Sequence, residues 1–228
     1  MPTDPMTVLK VNRPRGFTIV ELLIVISIIS FIAALLLPAL SNAKNRGRGA
    51  DWISRLKQCG VGSRVYSNDN DEEFPWQRPV GDGGSLGSID WTDHVRALSN
   101  ELVTPKVLAS PLDKERVEHD DWTTLDGDKH ISTFVGLEAK ESKSQSILFG
   151  DRTVHGGGGG TEPFWTASVW GSIDAAWDET INNGRRGYIV LSDGSVHHMT
   201  TAQLREQIAA AIANGCKQVT FSLPRGIP

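Results

Sequence analysis

FTIVELLIVISIISFIAALLLPAL, residues 17–40, carries a single charge, Glu21. Phe17 to Leu37 alone is 21 residues, about 31 Å of helix at about 1.5 Å per residue, enough to cross a hydrocarbon core roughly 30 Å thick. A cleaved secretory signal has an apolar stretch of about 7–15 residues with a small-residue junction after it. This run is longer, and the nearby small-residue junction, Gly16, lies before it. The segment therefore reads as a membrane helix retained by the chain.

Glu21 is the costly residue. A carboxylate inside a spanning helix costs about 2.5–3.5 kcal/mol on insertion scales, so it needs a partner. If the chain is cut between Gly16 and Phe17, the new α-amine stands one helical turn from the carboxylate. Neutralisation within one chain, or against a neighbouring chain, would then remove most of the penalty. Lys10, Arg13 and Arg15 precede the segment and Lys44, Arg46 and Arg48 follow it, so the balance of cations does not set its orientation.

The pattern continues past the apolar run. Leu40, Ala43, Gly47, Ala50, Ile53 and Leu56 recur at three- and four-residue spacing and predict an amphipathic extension. A helix from Phe17 to about Tyr66 would be roughly 75 Å long. Pro38 would sit inside it, removing one backbone bond and bending it. Gly60 and Gly62 should weaken that helix and the Asn/Asp cluster at 68–71 should stop it.

Composition narrows the function. The chain has 228 residues and a formal charge of −4. Residues 1–16 hold Lys10, Arg13 and Arg15 against Asp4, so the part after Gly16 sits near −6. That balance argues against nucleic acid as a partner, which needs a basic face. Cys59 and Cys216 permit at most one internal disulfide and form no zinc site alone. Seven tryptophans and 23 glycines point to a turn-rich β domain with large aromatic packing units.

Arg15-Gly16-Phe17-Thr18-Ile19-Val20-Glu21, followed by an apolar run, resembles the leader junction of type IV prepilins and type II secretion pseudopilins. The resemblance implies an α+β, pilin-like fold, with a long N-terminal helix packed on a small antiparallel sheet. It implies cleavage after Gly16 by a prepilin peptidase, N-methylation of Phe17, and docking of Glu21 onto the terminal amine of another subunit. Pro38 matches the proline that pilins carry about twenty residues into the mature helix. The implied organisation is a leader over 1–16, a transmembrane and filament-core helix over 17–38, its amphipathic continuation over 39–66 and a globular head over 67–228. The implied partners are the peptidase, other pilin or pseudopilin subunits, an inner-membrane assembly platform and the lipid bilayer. The implied location is the inner membrane, crossed once, with the head in the periplasm.

Further along, Leu56-Lys57-Gln58, Tyr66, Asp69-Asn70 and Phe74-Pro75 resemble the "LKQ…Y…DN…FP" signature of a pilin-like group abundant in planctomycete and verrucomicrobial bacteria. That group commonly has Cys-Pro-Ser-Asp where this chain has Ser110, and a histidine nine residues before an Asp-Gly. Asp193-Gly194 is present, but Asn183 stands at the histidine position.

Elsewhere the head offers little chemistry. Asp69–Glu72 fails the calcium-loop pattern, because positions six and twelve are Phe74 and Val80. Some related pseudopilins bind calcium in a later loop, which leaves that cofactor open; no other is implied. Residues 79–90 read as a flexible connection, and Asp93–Leu102 as a short helix capped by Thr92 or Asp93. Ile131–Leu137 and Ser146–Asp151 read as strands. The glycines at 156–160 lack the lysine and hydroxyl order of a phosphate loop. Trp165, Trp170 and Trp177 read as packing residues. Tyr188–Leu191 and Ser195–Met199 form a hairpin about Asp193-Gly194, with His197 and His198 on opposite sides. Thr200–Ala213 closes the chain as an amphipathic helix. Asp174, Asp178 and Glu179 read as solvated carboxylates, and no nucleophile, acid–base pair or metal cluster emerges. The chain is expected to be a structural subunit, not an enzyme. The rival reading is a signal-anchored extracytoplasmic binding or adhesin domain that does not polymerise.

Overall fold

The computed structural model describes residues 16–156, 164–168, 173–178 and 186–224. Residues 1–15, Gly157–Gly160, Trp170, Glu179 and Asn183 lie outside the described residues. The chain divides into two compact units, 1–45 and 46–228.

The described part of the first unit is helix. Helix α1 runs Ile19–Asp69 with Pro38 inside it, and its apolar stretch near the N-terminus is long and apolar enough to cross a membrane, with none of that stretch buried. From Ile19 through Leu40 the large apolar side chains all face outward. In water such a surface is strongly unfavourable, so it marks contact with lipid or with other apolar helices.

The second unit is an antiparallel six-stranded sheet with a helix on each face. The strands are β1 (Thr133–Gly136), β2 (Ile147–Asp151), β4 (Phe164–Ser168), β6 (Arg186–Leu191), β7 (Val196–Thr200) and β8 (Gln218–Ser222), ordered β4-β8-β1-β2-β6-β7. A separate pair joins β3 (Val154–His155) to β5 (Ala176–Trp177). Along β6 the side chains alternate: Tyr188 and Val190 enter the core beside α1, while Ile189 and Leu191 enter the one beside α4 (Thr201–Ala213). That alternation is the period of two expected of a strand. Leu148 and Phe149 break it, both facing α1, because the pairing of β2 with β6 shifts register between Ile147 and Phe149. Such a bulge puts two consecutive residues on one face. The architecture is α+β and pilin-like, with α4 covering the second face of the sheet.

The stripe by which α1 packs differs from the one its apolar residues predict. Gly49, Trp52, Leu56, Cys59, Ser63 and Tyr66 are buried, spaced three, four, three, four and three. Leu40 and Ile53 are exposed instead, and only Leu56 belongs to both sets. Half of the true stripe is glycine, serine and tyrosine, which a count of aliphatic side chains passes over. Gly60 and Gly62 do not end the helix. A Cβ on Gly60 would lie 2.9 Å from Val190 Cγ1 and one on Gly62 would lie 2.7 Å from Leu102 Cδ2. These glycines let the helix approach the sheet and the following turn. The helix stops where Asp71 and Glu72 adopt positive φ, 58° and 61°.

This contrast makes a paired prediction. Gly47, on the same helix, would meet nothing within 4 Å on gaining a Cβ, so Gly47→Ala should stabilise the helix by about 0.5–1 kcal/mol. Gly62→Ala should instead cost about 1–3 kcal/mol through overpacking against Leu102. Thermal unfolding of the two variants in detergent reads the opposite signs, and a stabilised Gly62→Ala would refute the packing role.

Other elements fall close to expectation. Helix α2 is Trp91–Arg96, followed by the one-turn α3 (Gly127–His130), and the cap of α2 is Asp90, whose carboxylate accepts from the Thr92 amide at 2.8 Å. The predicted start and cap were late because Asp90 already supplies the side-chain acceptor. The helix also ends earlier than expected, at Arg96, so of the expected apolar face only Val95 lies on it; Leu98 and Leu102 are buried from the turns that follow. Residues 79–90 are less free than predicted, with a short turn at Val80–Asp82 and a bridge from Pro79 to Leu86. Helix α4 begins with a capping box between Thr200 and Gln203, and Leu204, Ile208 and Ala211 bury its apolar face.

Candidate cleavage and assembly site

Gly16 and Phe17 precede the helix, and Thr18 stands at its N-cap position. The Thr18 amide donates to Glu21 Oε2 at 2.9 Å, and the Thr18 hydroxyl donates to the same oxygen at 2.8 Å. In return the Glu21 amide donates to Thr18 Oγ1 at 3.2 Å. This is a reciprocal capping box. It satisfies amides that the first turn of a helix leaves without carbonyl partners, and it points the carboxylate back toward the chain start. Reading Glu21 only against a future amine missed this local partner, although threonine followed three residues later by glutamate is legible in the sequence.

Gly16 has no packing role of its own. A Cβ there would meet nothing within 4 Å. Phe17 is 72% exposed. Both residues at the junction are therefore reachable, and neither is held by the fold.

In the second unit the carboxylates at the end of α1 are engaged in ending the helix. Arg78 pairs with Asp71 at 3.4 Å and Glu73 at 3.7 Å, and the Asn70 side chain donates through Nδ2 to the Tyr66 carbonyl at 2.8 Å. Asp178 is not a simple solvated carboxylate, because His155 Nε2 lies 2.9 Å from its Oδ2. His197 bonds Ser195 Oγ at 2.8 Å, whereas His198 stacks on Tyr188 at 4.4 Å. Ser110, in the place of the group's cysteine, is buried; its amide donates to Ser132 Oγ and its hydroxyl accepts from the Leu112 amide. Cys59 and Cys216 are both free and buried, one in each core. Burial pushes the Cys59 thiol up to about 12. Among the described residues no group of three or more His, Cys, Asp or Glu side chains is placed to hold a metal ion.

The most constrained polar group is Asp151, fully buried between α1 and the sheet. Trp52 Nε1 donates to its Oδ1 at 2.7 Å, and the Tyr188 amide donates to its Oδ2 at 2.8 Å. Beside it, Arg152 forks onto Asp113 at 2.7 and 3.1 Å. The Trp52 bond pins α1 to the sheet, and the Arg152 fork holds the Asp113 loop beside it.

Residues 11–37 match the family described as prokaryotic N-terminal methylation motif. The match spans the Gly16–Phe17 junction and the start of α1, and it supports a type IV pilin-like or pseudopilin family, which is structural and not enzymatic. The motif implies processing by prepilin peptidase and assembly with other pilin subunits, and with the apolar helix it points to membrane anchoring. No curated protein and no solved structure matches the chain.

Proposed function

We propose that the chain is a pseudopilin or minor pilin of a type II secretion or type IV pilus-like filament. It is cut after Gly16, N-methylated on Phe17 and held in the inner membrane by residues 17–38, with residues 39–66 continuing the helix and residues 67–228 in the periplasm. Pro38 bends the helix where it leaves the bilayer. An inner-membrane platform extracts the subunit, and Glu21 meets the Phe17 amine of a neighbour as the apolar helices bundle. The "LKQ…Y…DN…FP" residues support a reading within the planctomycete and verrucomicrobial group. The observation that carries this reading is the methylation-motif match over residues 11–37, which leads directly into an exposed apolar helix.

Gly16→Ala tests the junction cleanly, because the fold has room for the added Cβ. It is expected to leave the chain folded and membrane-bound but uncut, at least tenfold slower in processing. Intact-mass spectrometry would show the leader retained and Phe17 unmethylated. Normal removal of the leader from this variant would refute the site.

A further inference from the structure

One flank of α1 in the second unit is uncovered. Val61 and Val65, one turn apart, are 51% and 47% exposed, and Val103 is 93% exposed. With Leu102 and Val107 they line a groove of about 400 Å³, whose wall also carries Lys57, not paired with Glu101. Glu101 stands in its wall. One oxygen of that carboxylate is closed to solvent with no hydrogen-bond partner, and Glu101 forms no ion pair among the described residues. Desolvation, with the Asp69 charge adding to it, pushes the carboxyl up. A partly desolvated carboxylate beside valines is stabilised by a cation arriving with apolar surface of its own.

The chain carries such cations on the same helix. Arg46 and Arg48 form no ion pair among the described residues, and between and beyond them stand the small, exposed Gly47 and Ala50. Small residues allow close approach, and a guanidinium forks onto a carboxylate. We propose that the groove receives the Arg46–Ala50 segment of a second copy of this chain, with Arg46 or Arg48 paired to Glu101. With the two helices parallel, seating residue 47 of one copy beside residue 62 of the other displaces them along the axis by about 22 Å. That contact is head-to-tail and does not close on itself, so it propagates a filament. A groove of this size buries far less than the ~1,200 Å² of a stable interface, so it forms only among copies already gathered by their N-terminal helices. The inference rests on the filament reading above.

Two full-length chains co-expressed in membranes test it, one tagged and carrying Val103→Cys, the other carrying Gly47→Cys; the buried Cys59 and Cys216 stay out of the reaction. A control pair carries Leu36→Cys in one chain and Leu40→Cys in the other, within the apolar helix and four residues apart, the offset at which Glu21 of one copy meets Phe17 of the next. Oxidation is expected to give a mixed dimer linked between positions 103 and 47. Glu101→Arg should reduce it at least fivefold, and Arg46→Glu with Arg48→Glu in the other chain should restore it. A control that cross-links while the 103–47 pair does not would overturn the docking and leave the filament reading standing. A link from position 103 to a different protein, or cross-linking indifferent to both charge changes, would also overturn it. Failure of both pairs would remove the filament reading and this inference with it.

Discussion

Glu21→Val is expected to insert into the membrane at least as well as the parent chain and to lose assembly by roughly 30-fold or more. The two effects have opposite signs because they draw on different terms. Removing the carboxylate lifts an insertion cost of about 2.5–3.5 kcal/mol. Removing one member of a desolvated charge pair costs about 2–5 kcal/mol, and each 1.4 kcal/mol is tenfold. The Thr18–Glu21 box supplies an internal control. Thr18→Val removes the hydroxyl that bonds Oε2 at 2.8 Å but leaves the Thr18 amide, which bonds it at 2.9 Å. It costs about 1 kcal/mol of capping and loosens the carboxylate without deleting its charge. Assembly of Thr18→Val should fall between the parent and Glu21→Val. Sedimentation of sheared filaments, with membrane fractionation alongside, reads both quantities. Equal assembly by all three chains would sink the role given to Glu21.

What the sequence made legible follows from how each signal is encoded. The apolar run, the hairpin at Asp193-Gly194 and the face of α4 rest on periodicity among neighbours, and the structure keeps all three. The stripe of α1 was misplaced because Gly49, Ser63 and Tyr66 face the sheet for reasons of size and fit, not hydrophobicity. The Asn/Asp cluster does stop the helix, at Asp69, but the packing role of Gly60 and Gly62 is hidden in the sequence for a related reason. Their packing partners, Val190 and Leu102, are 130 and 40 residues away in sequence. Nothing local distinguishes a glycine that ends a helix from one that admits a side chain. At the N-terminus the signal is local, and both Glu21 and its cap are legible in seven residues. Asp151 was beyond reach: it looked like the last residue of a strand, and only the fold brings Trp52 across 99 positions to meet it.

Asp151 also gives the second large effect. Burial, against the pull of the Tyr188 amide and Trp52, raises its carboxyl from 3.8 to about 7. Asp113 adds to the rise and Arg152 opposes it. A carboxyl raised in the folded state contributes stability that is fully present below its unfolded value, near 4, and is lost as pH climbs to about 7. Three units correspond to about 4 kcal/mol at most, or about 10 °C in Tm for a chain of this size. Asp113 works the other way: although burial pushes its carboxyl up, Arg152 and Ser132 outweigh that and lower it, so its contribution disappears only in stronger acid. Asp151 therefore contributes a fall in Tm between pH 4 and 7, while His94, whose imidazole burial lowers to about 4, contributes a rise over the same range. Asp151→Asn, neutral at every pH, should remove that fall, so the Tm difference between parent and variant declines from pH 4 to 7 and levels off above. Trp52→Phe should sharpen the fall, because losing the indole donor leaves the ionised carboxylate less satisfied at pH 8 than the protonated one at pH 4. Its cost of about 2–4 kcal/mol should accordingly be larger at the higher pH. Parallel Tm curves for the parent, Asp151→Asn and Trp52→Phe across that range would show that this carboxylate does not tie the helix to the sheet in the way its bonds to Trp52 and Tyr188 indicate.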